Sequence, residues 1–588
     1  MLFKSVLRAL QFGHTVLPKK QKKLKRSALK ESLQIQSSPT DYTLSGQLND
    51  PLLTITSLLI RDRLQETVLE VTNQQHDHRF TFQLPHTLVA QLSQHAAHMQ
   101  EEPDIPTVEE DGLAEIESVE ADQDSPYPVG RFSLWLKFTK KVEHLTPEQL
   151  QKWEADGLPS HATLDASAFT REILLGRFVD TKITAPLAPL MDETFNEFVH
   201  LYTDLKGNLR LLLNKEPQIK PKIQIDAVRN ETKATTVISG KAFTRHAFIK
   251  TGRLLLVHRE SGDQVPVAID WVYQNETSAK KFGLYRYHYT ATINWSHLYQ
   301  ASQLQEGVYD AFIALDFYHR AEPKLQRLGR ARYITRQLTP EALGKDETST
   351  MHIIPYYTVG HRNLSFEMTE FSNENYAYLN HLMTFAPLYR LFAEKNTWLV
   401  GERPYKAQDN GYHFFKYMRE TYPERPIYYV IDPTSNEYAQ VAPLGNVLPI
   451  KSKEHIYHAL MAKKVIGTHH AEYLYPLRSE PFKRKMRADR VFIQHGVLGT
   501  KNMNDQYGKF AAAFDTDLFL VSSEREKRLV TQDMGYADRE VKITGLSRFD
   551  ALLNDDVSVK RQMLVIPTWR SWLQTPLQFF ESEYYQQY

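Results

Sequence analysis

A histidine stands at the end of one apolar run in this chain, in the stretch RVFIQHG, with Gly496 directly after His495. Strands of an open α/β sheet present their ligand-binding loops at their carboxyl ends, which is where this pattern puts the imidazole. An imidazole titrates near neutrality and can take a proton from a hydroxyl. The plainer reading is a hydrogen-bonded histidine that merely closes a strand. Lys501 and Asn502 of the GTKN stretch follow in the same loop. They either face a phosphate, where a positioned cation helps phosphoryl transfer, or belong to a solvated loop. Ser522 and Ser523 end the run LFLV and open a helix. N-capping is their simplest role, and a helix N-terminus that also holds phosphate is the sharper one. Arg548 in TGLSRFD and Arg570 in PTWR read as phosphate clamps or as ion pairs between lobes.

Other clusters carry less. His469 and His470 are adjacent, so on a strand end they point to opposite sides and do not readily chelate one metal. One of them is expected to face the cleft, and the sequence does not say which. His455 and His458 have helical spacing but no third ligand, which favours surface histidines. Asp515-Thr516-Asp517 imitates a D-x-D metal motif but precedes its strand, at the edge opposite the ligand face. Neither a G-x-x-x-x-G-K-[ST] nor a G-x-G-x-x-G pattern occurs, and no metal or cofactor is expected. With no cysteine, disulfides, thiolate metal sites and cysteine nucleophiles are excluded.

The elements that must position these residues fall into distinct stretches. A chain of 588 residues exceeds one core, and 42% apolar with 24% charged residues is ordinary globular composition. Residues 1–34 form a basic segment in which Phe3, Val6, Leu7 and Leu10 share a helical face beside many lysines. That pattern fits docking on an anionic membrane surface through residues 1–30, or else a solvated tail. Residues 35–215 and 216–345 read as two β-sandwich-like modules with short alternating strands. In the first, Phe132, Leu134, Leu136 and Phe138 share a face; in the second, Tyr285, Tyr287, Tyr289, Ala291, Ile293 and Trp295 do. Residues 101–126 are acidic, lack Lys and Arg, and read as a disordered insertion. From residue 366 to 555, buried strands alternate with helices, as in a Rossmann-like α/β lobe, and 556–588 opens another unit with MLVIP. No apolar window is long enough for a transmembrane helix, and a net charge of +1 argues against nucleic acid as a partner. A cytoplasmic protein peripheral to the membrane is expected.

Five stretches occur in an order that resembles the CDP-glycerol glycerophosphotransferase family of teichoic acid synthesis: GERP (401–404), DNGYHFFKY (409–417), QHG (494–496), TGLSRFD (544–550) and PTWR (567–570). The resemblance implies a two-lobed GT-B transferase in which residues 366–555 form the first lobe. It also implies that His495 is the base that deprotonates an acceptor hydroxyl, whose oxygen attacks the β-phosphorus of CDP-glycerol or a related CDP-polyol and releases CMP. The implied acceptor is a lipid-linked glycopolymer on the cytoplasmic face of the membrane. The family's second lobe, with most donor contacts, would follow PTWR, so a truncated lobe with impaired activity is expected for residues 1–588. The alternatives are a non-catalytic binding module for glycolipid or protein, and a GT-B sugar transferase with another nucleotide donor.

Overall fold

The computed structural model describes residues 32–552 and 563, apart from 76, 101–127, 142–162, 165–167, 176–179, 184–186, 204–207, 218, 220, 246, 275–283, 320–322, 330–340, 359–360, 500 and 512–513. The basic segment 1–30, the acidic stretch 101–126, the strand expected at 563–567 and Arg570 therefore lie outside the described residues, save for Met563.

The first β-rich part pairs a four-stranded sheet with an eight-stranded one over a single core. Leu33, Tyr42, Phe80 and Phe82 come from the smaller sheet, and Leu58, Phe132, Leu134 and Leu211 from the larger. The alternation read at 132–138 holds within the strand Gly130–Lys141, where all four apolar side chains are buried. A helix, Leu88–Gln100, adds Leu88, Val89 and Leu92 to the same core.

The second part is one ten-stranded sheet that starts with Lys222–Thr232 and whose strands share one core. Tyr285, Tyr287, Tyr289, Ala291 and Ile293 lie on its buried face as the alternation requires. Trp295 is buried as well, but it opens a short helix capped by Asn294 rather than ending the strand. The sheet does not stop at residue 345. It continues through Ser349–Tyr357 and Leu364–Ser372, whose Leu364, Phe366 and Met368 alternate with Glu367 and Thr369 and close the core. The next part thus starts at the helix α1 (Asn373–Phe392), capped by Ser372.

Seven parallel strands form the third part: β1 (Trp398–Gly401), β2 (Ile427–Ile431), β3 (Val447–Pro449), β4 (Lys464–Gly467), β5 (Asp489–Phe492), β6 (Leu518–Val521) and β7 (Val541–Ile543). Their spatial order is β3-β2-β1-β4-β5-β6-β7. Burial on both faces explains their short, continuous apolar runs. α1 and α3 (Lys453–Met461) pack Leu379, Leu382, Ile456 and Leu460 against one face. α2 (Asn410–Thr421) packs Phe415 and Met418 against the other. α4 (Glu524–Gln532) covers the far end of the sheet through Val530. Strand order reverses between β1 and β4, and open α/β sheets bind ligands beyond the carboxyl ends of the strands at such a point. No helix among the described residues is long and apolar enough to cross a membrane.

Candidate functional site

β4 ends at Gly467 and β5 at Phe492, and the residues that follow each meet over the carboxyl edge of the sheet. The backbone carbonyl of Thr468 lies 2.9 Å from His495 Nδ1. A carbonyl only accepts, so Nδ1 is the donor and Nε2 is the nitrogen left to face the site. Tyr507 is the group facing Nε2, with its hydroxyl 3.5 Å away, too far for a strong bond. His469 lays its ring on that of His495, with centroids 4.2 Å apart and planes within 4°. Of the two adjacent histidines, His469 is therefore the one that faces the site. Burial, helped by His495 and the Arg403 guanidinium, pushes the His469 pKa down to about 3, so this ring stays neutral. His470 turns away, its ring against Phe514 and its Nε2 accepting from the backbone N–H of Asp515 at 3.1 Å.

The turn that presents His495 is held at several points. Gln494 has φ of 58°, a left-handed conformation unusual for a residue with a side chain, and it is 1% exposed. Its amide donates to the Leu520 carbonyl at 2.7 Å, and the Asn410 amide donates to the Gln494 carbonyl at 2.9 Å. Strain of this kind persists where the surroundings over-determine it, as they do here. Beyond His495 the loop opens into a pocket of about 160 Å³ lined by Gly496, Leu498, Lys501, Met503 and Tyr507 among others. A Cβ at Gly496 would meet nothing within 4 Å, so space for a ligand adjoins the imidazole. The Lys501 side chain belongs to this lining, whereas the Asn502 side-chain oxygen caps the Asn504 N–H at 3.0 Å.

The remaining candidates serve the loops rather than the pocket. Ser523 caps α4 by accepting from Glu526 N–H at 3.3 Å. Ser522 gives its N–H and its hydroxyl to the Glu526 carboxylate at 2.6 and 2.8 Å. The same carboxylate, 2% exposed as a residue, accepts the Leu498 N–H at 2.8 Å and so ties the pocket loop to α4. With Glu524 and Glu526 in its first turn, this helix N-terminus already has its anions. Arg548 pairs with Asp409 at 2.6 Å and donates to the His495 carbonyl at 2.9 Å, an ion pair within this sheet's own loops. Asp515 and Asp517 are both engaged by Arg490, Asp517 at 2.9 Å. The expected surface placement of His455 is corrected. It is fully buried, accepting from Lys451 N–H at 2.9 Å through Nδ1 and donating to the Leu474 carbonyl at 3.0 Å through Nε2. Its helix turns that face inward, which spacing from His458 alone could not show. His458 itself stacks on Tyr428.

Residues that sequence reasoning passed over join two of the motifs. Glu402 of GERP is 3% exposed and accepts from the backbone N–H groups of Gln408, Asp409 and Tyr412 at 3.2, 2.8 and 3.0 Å. It thus holds the start of α2, which DNGYHFFKY forms. Burial raises its pKa while those three bonds oppose the rise. A Cβ on Gly411 would lie 2.8 Å from Glu402 Cγ and 2.9 Å from the Gly401 carbonyl, so only glycine lets helix and strand approach this closely. Asn410 then links α2 to the His495 turn through Gln494 and to Arg548, whose N–H donates to the Asn410 side chain at 3.1 Å.

Comparison with known proteins follows this division. Residues 222–368 match the family described as TarS beta-glycosyltransferase C-terminal domain 1. Residues 382–587 match the family CDP-Glycerol:Poly(glycerophosphate) glycerophosphotransferase. The chain is 27% identical over 218 residues to the minor teichoic acid biosynthesis protein GgaB of Bacillus subtilis (strain 168), which covers 34% of this chain and 23% of that protein. The chain therefore spans about a quarter of the length of this curated relative. Among solved structures, one of S. aureus TarS is similar at 18% identity and a TM-score of 0.21, covering 28% of this chain and 42% of that one. A second TarS structure gives 16% identity and a TM-score of 0.22, covering 30% and 29%. Scores this low carry no argument about fold. The match over 382–587, with the ordered motifs and the teichoic acid relative, places residues 382–587 in the CDP-glycerol:poly(glycerophosphate) glycerophosphotransferase family.

Proposed function

We propose that the chain acts in polyol-phosphate transfer during teichoic-acid-type polymer synthesis, with residues 373–552 serving as the first lobe of a GT-B transferase. In this reading Nε2 of His495 takes the proton of an acceptor hydroxyl. The hydroxyl oxygen bonds to the β-phosphorus of CDP-glycerol or a related CDP-polyol, the bond from that phosphorus to the bridging oxygen breaks, and CMP leaves. The observation that carries the reading is the hydrogen bond from His495 Nδ1 to the Thr468 carbonyl, which turns Nε2 toward an open pocket beside the Tyr507 hydroxyl. Lys501 and Gly496 line that pocket and are the residues proposed to meet donor or acceptor phosphate. The proposed acceptor is a lipid-linked glycopolymer, and the basic pattern of residues 1–30 supports peripheral attachment to the cytoplasmic face of the membrane.

The donor class is tested by incubating the protein with a lipid-linked acceptor and, separately, CDP-glycerol, CDP-ribitol or a UDP-sugar. Release of CMP from a CDP-polyol is expected. Nucleotide release from the UDP-sugar instead would make this a sugar transferase, and silence from all three would remove the transferase reading.

A further inference from the structure

One cation at the crevice has no anion among the described residues. β1 and β4 are parallel neighbours with Gly401 opposite Gly467, and the Thr468 N–H donates to the Gly401 carbonyl at 3.3 Å. The residues two places beyond these glycines, Arg403 of GERP and His469, therefore stand side by side where the strand order reverses. Among the described residues Arg403 makes one side-chain hydrogen bond, from Nη1 to the Tyr405 hydroxyl at 3.1 Å, and no ion pair. Arg403 is exposed.

The carboxylates of the surrounding loops are engaged elsewhere. Glu402 accepts three backbone N–H groups, and Asp409 pairs with Arg548. Glu437 takes Lys406 at 2.9 Å and the Ala407 N–H, and Glu472 takes Lys483 at 3.3 Å. The groups that Arg403 does reach are uncharged. Its bond to Tyr405 and the nearby hydroxyls of Tyr473 and Tyr507 favour its charged form, and the His469 ring beside it is neutral. Tyr507 is also the residue whose hydroxyl faces His495 Nε2. A guanidinium offers five N–H donors in a planar fork that fits two oxygens of one phosphate. A structural arginine spends those donors on a carboxylate or on carbonyls, as Arg548 and Arg390 do.

We propose that Arg403 is a phosphate-binding residue, gripping a substrate phosphate at the β1–β4 crevice beside His469 and His495. The proposal rests on the transferase reading for the identity of the ligand. GERP then has two tasks, Glu402 fixing the start of α2 and Arg403 facing the ligand. The phosphate belongs to the pyrophosphate of the donor or to the acceptor chain, two sources of one chemistry that the test separates.

The test is calorimetric titration of the full chain with CDP-glycerol and, separately, with a water-soluble glycerol-phosphate oligomer, for wild type, Arg403→Gln and Arg403→Lys. CMP release with a lipid-linked acceptor is followed in parallel. Arg403→Gln should weaken binding of at least one ligand by about tenfold to a hundredfold, and Arg403→Lys, which keeps the charge without the fork, by less. A loss toward CDP-glycerol assigns the phosphate to the donor, and a loss toward the oligomer assigns it to the acceptor. Arg403 is exposed, so the unfolding midpoint should not move. A midpoint that falls together with binding would make Arg403 structural and overturn the inference. Unchanged affinity for both ligands in Arg403→Gln, or a wild-type chain that binds neither, would overturn it as well. Binding that depends on Arg403 with no CMP release by the wild type would uphold the phosphate site and remove the transferase reading. CMP release by Arg403→Gln at wild-type affinity and rate would do the reverse.

Discussion

Two histidines of the α/β part show how neighbours decide what an imidazole can do. His495 donates through Nδ1 and keeps Nε2 facing open space, the condition for a base. His455 has both nitrogens bonded to backbone and no exposure, so it can only be structural. Burial pushes the His455 pKa down from 6.5 to about 4. Between those values only the unfolded chain gains the proton, so stability is complete above pH 6.5 and falls as pH drops toward 4. At pH 4.5 the loss from this group is roughly 2–3 kcal/mol. Urea unfolding followed by helical circular dichroism at pH 7 and pH 4.5 measures it, since most of the described helix belongs to this part. His455→Gln should narrow the gap between the two pH values by about that amount, and an unchanged gap would place the acid sensitivity elsewhere. Gly496 offers a second check at this scale. A methyl there meets no atom, so Gly496→Ala should hold or raise stability by up to about 1 kcal/mol. If ligand enters beside the imidazole, the same variant should weaken binding of CDP-glycerol in a calorimetric titration.

Between elements, the decisive contact is a carboxylate on a helix start. Glu402 takes three backbone N–H groups that α2 and its approach would otherwise leave unsatisfied. Glu402→Ala should therefore cost about 2–4 kcal/mol in thermal or urea unfolding, more than an exposed cap would. Gly411→Ala improves helix propensity by about 1 kcal/mol but forces a backbone contact apart, and the clash should win by 1–2 kcal/mol. The sequence made the parallel strands legible because each short apolar run ends in a polar turn, and it made His495 legible because its run is RVFI. It could not show that His469 would stack on His495, since adjacent residues carry no sign of which one faces inward. Nor could it show that Glu402 caps α2 or that Glu526 occupies the start of α4, because those bonds join residues through space. The strand Leu364–Ser372 went unread, with the α/β part expected from residue 366, because its alternation falls at a border where one module's pattern gives way to the next.

At the scale of the whole molecule, the second sheet and the α/β part are continuous through α1. Phe371 of the last sheet strand packs into the core that α1 and α3 form with β1. Ion pairs Lys451–Glu306, at 2.5 Å, and Arg478–Glu367, at 3.3 Å, bridge the same border, though partly exposed pairs contribute little. The second sheet thus joins the α/β part directly, and the pocket lies at the carboxyl edge of the parallel strands. Everything proposed for that edge turns on His495. The most direct test is CMP release from CDP-glycerol in the presence of a lipid-linked acceptor, compared between the wild-type chain and His495→Ala. A fall of about 10²–10⁴-fold with an unchanged unfolding midpoint is predicted for a general base; turnover at the wild-type rate in the variant would contradict it.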